Sequence, residues 1–217
     1  MQIDILTLFP QMFYGILEDS ILKRAQQKGS VKINLHNLRD WARDRRGTVD
    51  DKPYGGGPGM VLKPEPVFEA CDDLCGKNTV VILLTPQGVK LKQKIVKQFL
   101  KHNHLLLICG HYEGFDERIR SLADYEISIG DYILTGGEIP AMVVVDAVVR
   151  LIPGVLGQAG SLEAESFNLE LLEYPQFTRP QEYRGMKIPE VILSGNHQRI
   201  ETWRKEQALK KTKHTRN

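Results

Sequence analysis

The run Ser128-Ile-Gly-Asp-Tyr-Ile-Leu-Thr-Gly-Gly-Glu-Ile-Pro140 sets three glycines between a strand-like segment and a long apolar helical stretch. Glycines at the mouth of a helix let backbone amides come close to a ligand. The run carries Asp131 and Glu138 but no Lys or Arg, so it lacks the cation of a phosphate-cradling loop, and its ligand is not expected to be a polyphosphate. Two further glycine-bearing turns follow apolar runs: Leu84-Thr-Pro-Gln-Gly88 and Cys109-Gly-His-Tyr-Glu-Gly114. Ligands of open α/β sheets sit beyond the carboxyl ends of the strands, so three such loops can line one pocket. A lone glycine turn is more often structural; three in succession favour a ligand site. The chain has neither the Gly-x-x-x-x-Gly-Lys-[Ser/Thr] of a triphosphate site nor a Gly-x-Gly-x-x-Gly opening a helix. Acidic residues beside amide-rich turns suit a ligand with hydroxyls, an adenine-like edge and a positive centre, and S-adenosylmethionine combines all three.

A second glycine cluster, Pro53-Tyr-Gly-Gly-Gly-Pro-Gly-Met60, follows Arg39-Asp-Trp-Ala-Arg-Asp-Arg-Arg46. So much Gly and Pro cannot continue a helix or an ordinary strand, and a shaped loop is expected. Alternating arginines and carboxylates are ordinarily a solvated face. Beside Trp41 and Tyr54 they could instead bind phosphates and stack an unpaired base. Cys71 and Cys75 stand at i, i+4 with no second pair to complete a zinc site, and with Cys109 they are expected as reduced core thiols.

Four Val-, Ile- and Leu-rich runs, 3–8, 31–35, 79–84 and 105–109, with a fifth at 125–129, alternate with helical patterns. Near-continuous apolar strands imply parallel pairing buried on both faces, hence an α/β fold. Helices are expected at 20–28 with Ser20 as N-cap and Gly29 as stop, at 64–74 opening on Pro64, at 90–102, and at 138–152. The last has so little polar face that it must be covered all round, by the core or by a second copy of the chain. Residues 154–178 turn small and polar, as a linker or active-site loop would, and a small helical domain is expected from about 179 onward.

At 217 residues the chain can bury a proper core and divide into a larger and a smaller domain. The segment from 197 to 217 holds seven Lys and Arg against two Glu, a net +5, while the remaining 22 cations and 25 anions give −3. Concentrated positive charge suits an arm that meets nucleic acid, or simply a solvated helix. The N-terminal residues have no basic and apolar leader pattern, no stretch approaches the roughly 18 apolar residues of a membrane span, and a cytoplasmic protein is expected.

Taken together, the ordered motifs resemble the bacterial tRNA (guanine-N1)-methyltransferases, the TrmD family of the SPOUT methyltransferases. They are Thr7-Leu-Phe-Pro10, Thr48 to Met60, Gly110-His-Tyr-Glu-Gly-Phe-Asp-Glu-Arg118, Ser128 to Pro140, Ile152-Pro-Gly-Val-Leu-Gly157, Tyr174-Pro-Gln-Phe-Thr-Arg-Pro180 and Leu193-Ser-Gly-Asn-His197 with Trp203-Arg204. The resemblance implies a SPOUT-type parallel sheet whose cofactor domain, 1–157, ends in a C-terminal trefoil knot. An interdomain loop at 158–178 and a small helical tRNA-binding domain at 179–217 would follow. Threaded chains are rare, so general topology alone would not have suggested a knot. The resemblance also implies a homodimer with the active site at its interface, S-adenosylmethionine as cofactor, a magnesium requirement, and methylation at N1 of the guanine just 3′ of the anticodon, tRNA position 37.

By that resemblance the cofactor contacts Leu84, Thr85 and Pro86, then Gly110 and Glu113, then Ile129, Gly130, Asp131, Tyr132, Ile133 and Leu134 with Gly136 and Gly137. The tRNA contacts fall on Asp50, Tyr54, Gly55, Gly56, Gly57, His111, Asn196, His197 and Arg204. Arg150 matches the arginine that stabilises charge developing on the guanine oxygen. The family's general base, an Asp, is replaced: Glu165 stands there, with Glu163 and Glu170 as fallback bases. A Glu keeps the carboxylate but adds a methylene, and a displacement of about 1 Å can cost roughly 100-fold in rate. Two alternatives stay open: an RNA- and cofactor-binding homodimer with little turnover, and a SPOUT enzyme acting on another RNA. No residue cluster has a metal-ligand signature.

Overall fold

The structure, a computed structural model, describes residues 1–156 and 172–215 of the chain. The chain divides into two units, Met1–Gly157 and Gln158–Asn217. Unit 1 runs β1 (Gln2–Thr7), α1 (Tyr14–Leu17), α2 (Ser20–Gln27), β2 (Lys32–Asn37), β3 (Asp50–Asp51), β4 (Val61–Leu62), α3 (Pro64–Leu74), β5 (Thr79–Lys90), α4 (Gln93–Phe99), β6 (His104–Cys109), β7 (Tyr125–Ser128) and α5 (Glu138–Val149). Its main sheet has five strands in the order β2-β1-β6-β5-β7, every pair parallel, so the expected α/β architecture with a parallel sheet is met.

The apolar strands sort by parity into two cores, because successive side chains point to opposite faces. Ile3, Ile5, Val80, Ile82, Leu105 and Leu107 join the core shared with α2, α4 and α5. Leu6, Val81, Leu83, Leu106 and Ile108 join the core against α3. One polar residue interrupts the second face: Asp4 is 2% exposed. It accepts from Asn34 Nδ2 at 2.6 Å and Gln2 Nε2 at 2.7 Å, and His36 Nε2 and His104 Nε2 lie 3.1 and 2.6 Å from its oxygens. Burial acts to raise the pKa of this carboxyl, but the four hydrogen bonds outweigh it and hold it below its ordinary value.

Some boundaries differ from expectation. The N-cap of α2 is Asp19, not Ser20: the Asp19 carboxylate accepts from the Ser20 amide at 2.6 Å, one position earlier than the sequence suggests. Gly29 does stop that helix, at φ +70°. The basic helix predicted over 90–102 is shortened to Gln93–Phe99, because β5 continues to Lys90. Cys71 and Cys109 are buried and Cys75 half-buried, and all three are free thiols. Burial first, and the Glu138 charge second, push the Cys109 thiol well above its usual range.

The apolar helix α5 buries Ala141, Val144, Val145, Val148 and Val149, the i, i+3, i+4, i+7, i+8 stripe of a core helix. Its other side keeps Ile139 45% and Val143 40% exposed, so the core covers one face and leaves an apolar row open. Among the described residues no helix is long and apolar enough to cross a membrane.

In unit 2 a two-stranded hairpin, β8 (Glu182–Tyr183) with β9 (Met186–Lys187), precedes α6 (Glu190–Leu193) and α7 (His197–Thr215). The hairpin was not anticipated: its two-residue turn, Arg184-Gly185, has φ of +52° and +77°, and only Gly185 is of the type that such a turn favours, an Asn or Asp being the usual residue before it. The segment before it lies along α7: the Leu172 amide donates to Thr212 Oγ1 at 2.8 Å, and Arg204 stacks 4.8 Å from the Tyr174 ring centroid.

Candidate small-molecule pocket at the carboxyl ends of the sheet

The three glycine-bearing turns converge. The first is not a loop after a finished strand but a bulge inside β5: both Leu84 and Val89 pair with Ile127 of β7, and 85–88 are extruded between them. Gly88 makes this possible, since a Cβ there would lie 2.5 Å from the backbone of Glu126 and Ile127. The second turn, after β6, is held by the 50–62 segment: the Glu113 amide donates to Met60 O at 3.1 Å and the Leu62 amide to Gly114 O at 3.0 Å. The third leaves β7 and returns beneath β6, where the Gly137 amide donates to Gly110 O at 2.7 Å. A Cβ on Gly137 would sit 2.7 Å from Cys109 Cα and from the Gly110 amide nitrogen, so the glycine is required by close approach of chain to chain.

Together these turns enclose a pocket of about 390 Å³, within the range of small-molecule sites at about 300–1,000 Å³. Its lining includes Leu84, Thr85, Pro86, Gly110, Glu113, Ile129, Gly130, Tyr132, Ile133, Leu134, Gly136 and Gly137. Asp131 is not part of the lining: it points outward and pairs with Lys90, both ends exposed. The lining is also not free of cations, because Arg120 reaches it from a turn that sequence reasoning did not single out. Against that one guanidinium stand the carboxylates of Glu113 and Glu117, so the formal charge of the wall is negative.

His111 lines the pocket with its ring 4.9 Å from Phe9 and 4.8 Å from Tyr112. Behind it lies Glu138, 2% exposed, in the first turn of α5 where the helix dipole favours an anion. Glu138 Oε1 accepts from Thr7 Oγ1 at 2.8 Å, and its other oxygen is 3.9 Å from His111 Nδ1. Gly136 sits between them with no room for a side chain.

The remaining predicted residues are placed as follows. Asp50 is half-buried in β3, and Tyr54 is fully exposed beside Gly55, Gly56 and Gly57, which all have positive φ. Trp41 is half-buried and its Nε1 donates to Asp73 at 2.7 Å, and Arg43 is paired with Glu69. In unit 2, Asn196 Oδ1 accepts from the Arg199 amide at 3.1 Å and so caps α7, His197 is exposed on the first turn, and Arg204 covers Tyr174. Arg150 is the C-cap of α5 and does not line the pocket. Glu165, with Glu163 and Glu170, lies outside the described residues. Among the described residues no group of three or more His, Cys, Asp or Glu is placed to hold a metal ion.

A parallel sheet whose carboxyl-end turns build a net acidic pocket defines an α/β protein with a cavity of the size and place that small organic ligands occupy. The chain belongs to the tRNA (guanine-1)-methyltransferase TrmD family, whose model matches residues 1–217. It is 59% identical over 212 residues to the tRNA (guanine-N(1)-)-methyltransferase of Dictyoglomus turgidum, covering 98% of this chain and 86% of that protein. The proteins of the same name from Geobacillus kaustophilus and Bacillus subtilis are 58% and 54% identical, each over 98% of this chain and 88% and 89% of their own length.

Proposed function

We propose that this chain is an S-adenosylmethionine-dependent methyltransferase that modifies N1 of the guanine at tRNA position 37, immediately 3′ of the anticodon, acting as a cytoplasmic homodimer. The observation that carries the reading is the convergence of the three glycine turns on one pocket of suitable size and negative wall, in a chain matched end to end by that family. The residues present suit the cofactor: the turns at Leu84 to Pro86 and at Gly110 line the pocket with main chain that can meet the polar edges of adenine and ribose, and the Glu113 and Glu117 carboxylates of the wall suit a sulfonium. When bound, S-adenosylmethionine supplies an electrophilic methyl group.

What the protein must add is a competent nucleophile. Guanine N1 carries a proton at neutral pH and attacks poorly until a base removes it. Glu165 is the proposed base, and Arg150 the proposed partner of the charge that then develops on the guanine oxygen. Gly137 and Arg150 cap opposite ends of α5, about 20 Å apart at roughly 1.5 Å per residue. One protomer therefore separates its pocket from its own arginine, and a homodimer pairing α5 across its open Ile139 and Val143 row would bring Arg150 of a second copy toward the pocket. We place a trefoil knot in residues 1–157, in keeping with the passage of α5 beneath Cys109 and Gly110. Residues 158–178 would be the active-site linker and 179–217 the tRNA-binding domain, with the exposed cations of α7 meeting phosphates. Magnesium is retained as the requirement that the family resemblance implies.

Incubation with methyl-labelled cofactor and tRNA transcripts carrying G or A at the position 3′ of the anticodon tests the proposal. Label in the G transcript alone is expected; equal labelling of both, or none, overturns it. A second reading is favoured by one observation, the Glu at position 165 where the family resemblance implies Asp. If the chain binds cofactor and tRNA without turnover and Glu165→Asp restores transfer, it is a binding homodimer rather than an efficient enzyme.

A further inference from the structure

Among the described residues, Arg120 is the one Lys or Arg that lines the pocket. Its guanidinium touches four side chains on three segments, the 115–117 stretch, β7 and the β5 bulge. Nε donates to Glu117 Oε2 at 2.9 Å, Nη1 donates to the Glu126 carboxylate on β7, Nη2 donates to the Gln87 side-chain carbonyl on the β5 bulge, and Cζ lies 5.6 Å from the Phe115 ring centroid.

These limbs are unequal. The Glu117 side chain is 85% exposed, and such a pair contributes little. Arg120 and Glu126 are 20% and 31% exposed, so their charge-assisted hydrogen bond is partly withdrawn from water and stronger. Gln87 is the limb that matters for shape, because it belongs to the extruded stretch whose neighbours Thr85 and Pro86 line the pocket. The bulge is thus fastened to β7 twice: by the backbone contact that Gly88 permits, and by the Gln87–Arg120–Glu126 bridge. A bridge of this kind needs the planar fork of guanidinium, with several donors at fixed angles; an ammonium cannot supply it.

We propose that Arg120 is a positioning residue. It ties Gln87 to Glu126 and so holds the backbone of Thr85 and Pro86 in the shape that receives the cofactor. The inference rests on the S-adenosylmethionine reading of the pocket given above.

Titration calorimetry of the full chain with S-adenosylhomocysteine reads binding without turnover. Arg120→Met and Gln87→Ala should each weaken binding about tenfold, and the double variant should lose no more than the worse single change, since both cut the same bridge. Arg120→Lys should not restore affinity. In the transfer assay, KM for the cofactor should rise about tenfold in either single variant while KM for tRNA stays within about twofold. Affinity within twofold of the unsubstituted protein for Arg120→Met, or strictly additive losses in the double variant, would overturn the inference. Should Arg120→Met fail to fold, exposed Gln87→Ala carries the test alone, and unaltered binding overturns it. Absence of binding by the unsubstituted protein would instead sink the pocket reading itself.

Discussion

Two stretches of this chain, 53–60 and 128–137, are both rich in glycine, yet Gly137 in one and Gly56 in the other serve opposite ends. At Gly137 the backbone passes 2.7 Å from where a Cβ would strike Cys109 and Gly110, so the missing side chain is what lets α5 start beneath β6. At Gly56 φ is +80° and nothing lies within 4 Å of an added Cβ: there the glycine sets a backbone conformation in open space. The first kind builds a pocket whose walls are other parts of the chain. The second shapes an exposed loop, with Tyr54 fully in solvent. Glycine count does not tell a packed cavity from a docking loop; what approaches the glycine does.

Gly137→Ala should have the largest effect. With backbone on both sides of the new methyl, α5 or the second turn must shift, destabilising the protein by about 3 kcal/mol and weakening cofactor binding more than about 100-fold. Denaturant melts together with calorimetric titration would read both losses, and near-normal cofactor binding would erase the distinction between the two glycine sets.

A variant that costs stability without touching either stretch sharpens the comparison. Asp4→Asn confronts the donors around the buried Asp4 with an amide and should cost about 3 kcal/mol, measurable by urea unfolding, while cofactor affinity changes less than about twofold. Because the folded-state pKa of Asp4 is depressed, its carboxylate contributes stability above the unfolded value of about 3.9, and that contribution is lost as pH falls through the lower folded value. The Asn variant should therefore show a flatter loss of stability in acid.

Gly56→Ala should cost about 1 kcal/mol, from positive φ alone, and leave cofactor binding within about twofold, with its effect confined to KM for tRNA. Lys90→Ala should do least: its pair with Asp131 is exposed at both ends, and thermal melts should show less than about 0.5 kcal/mol.

The strands and the three turns were legible because apolar runs bounded by Gly and Pro are local signals. The Thr85–Gly88 bulge was not, since Gly88 is explained only by Glu126 and Ile127 of another strand, 38 and 39 residues on. Arg120 was missed for the same reason: its meaning lies in Gln87, 33 residues away. Asp131 was assigned to the pocket because it stands in the motif, but it is exposed and paired with Lys90 outside the lining. Trp41 and Asn196 also have partners within the fold, Asp73 and the Arg199 amide, which adjacency along the chain suggests for the second and hides for the first.

The most direct test of the account is the identity of the methylated atom. Nucleoside mass spectrometry of tRNA treated with this protein and S-adenosylmethionine should show 1-methylguanosine at the position 3′ of the anticodon and nowhere else. Methylation of a ribose hydroxyl, of another base atom or of another RNA would contradict it.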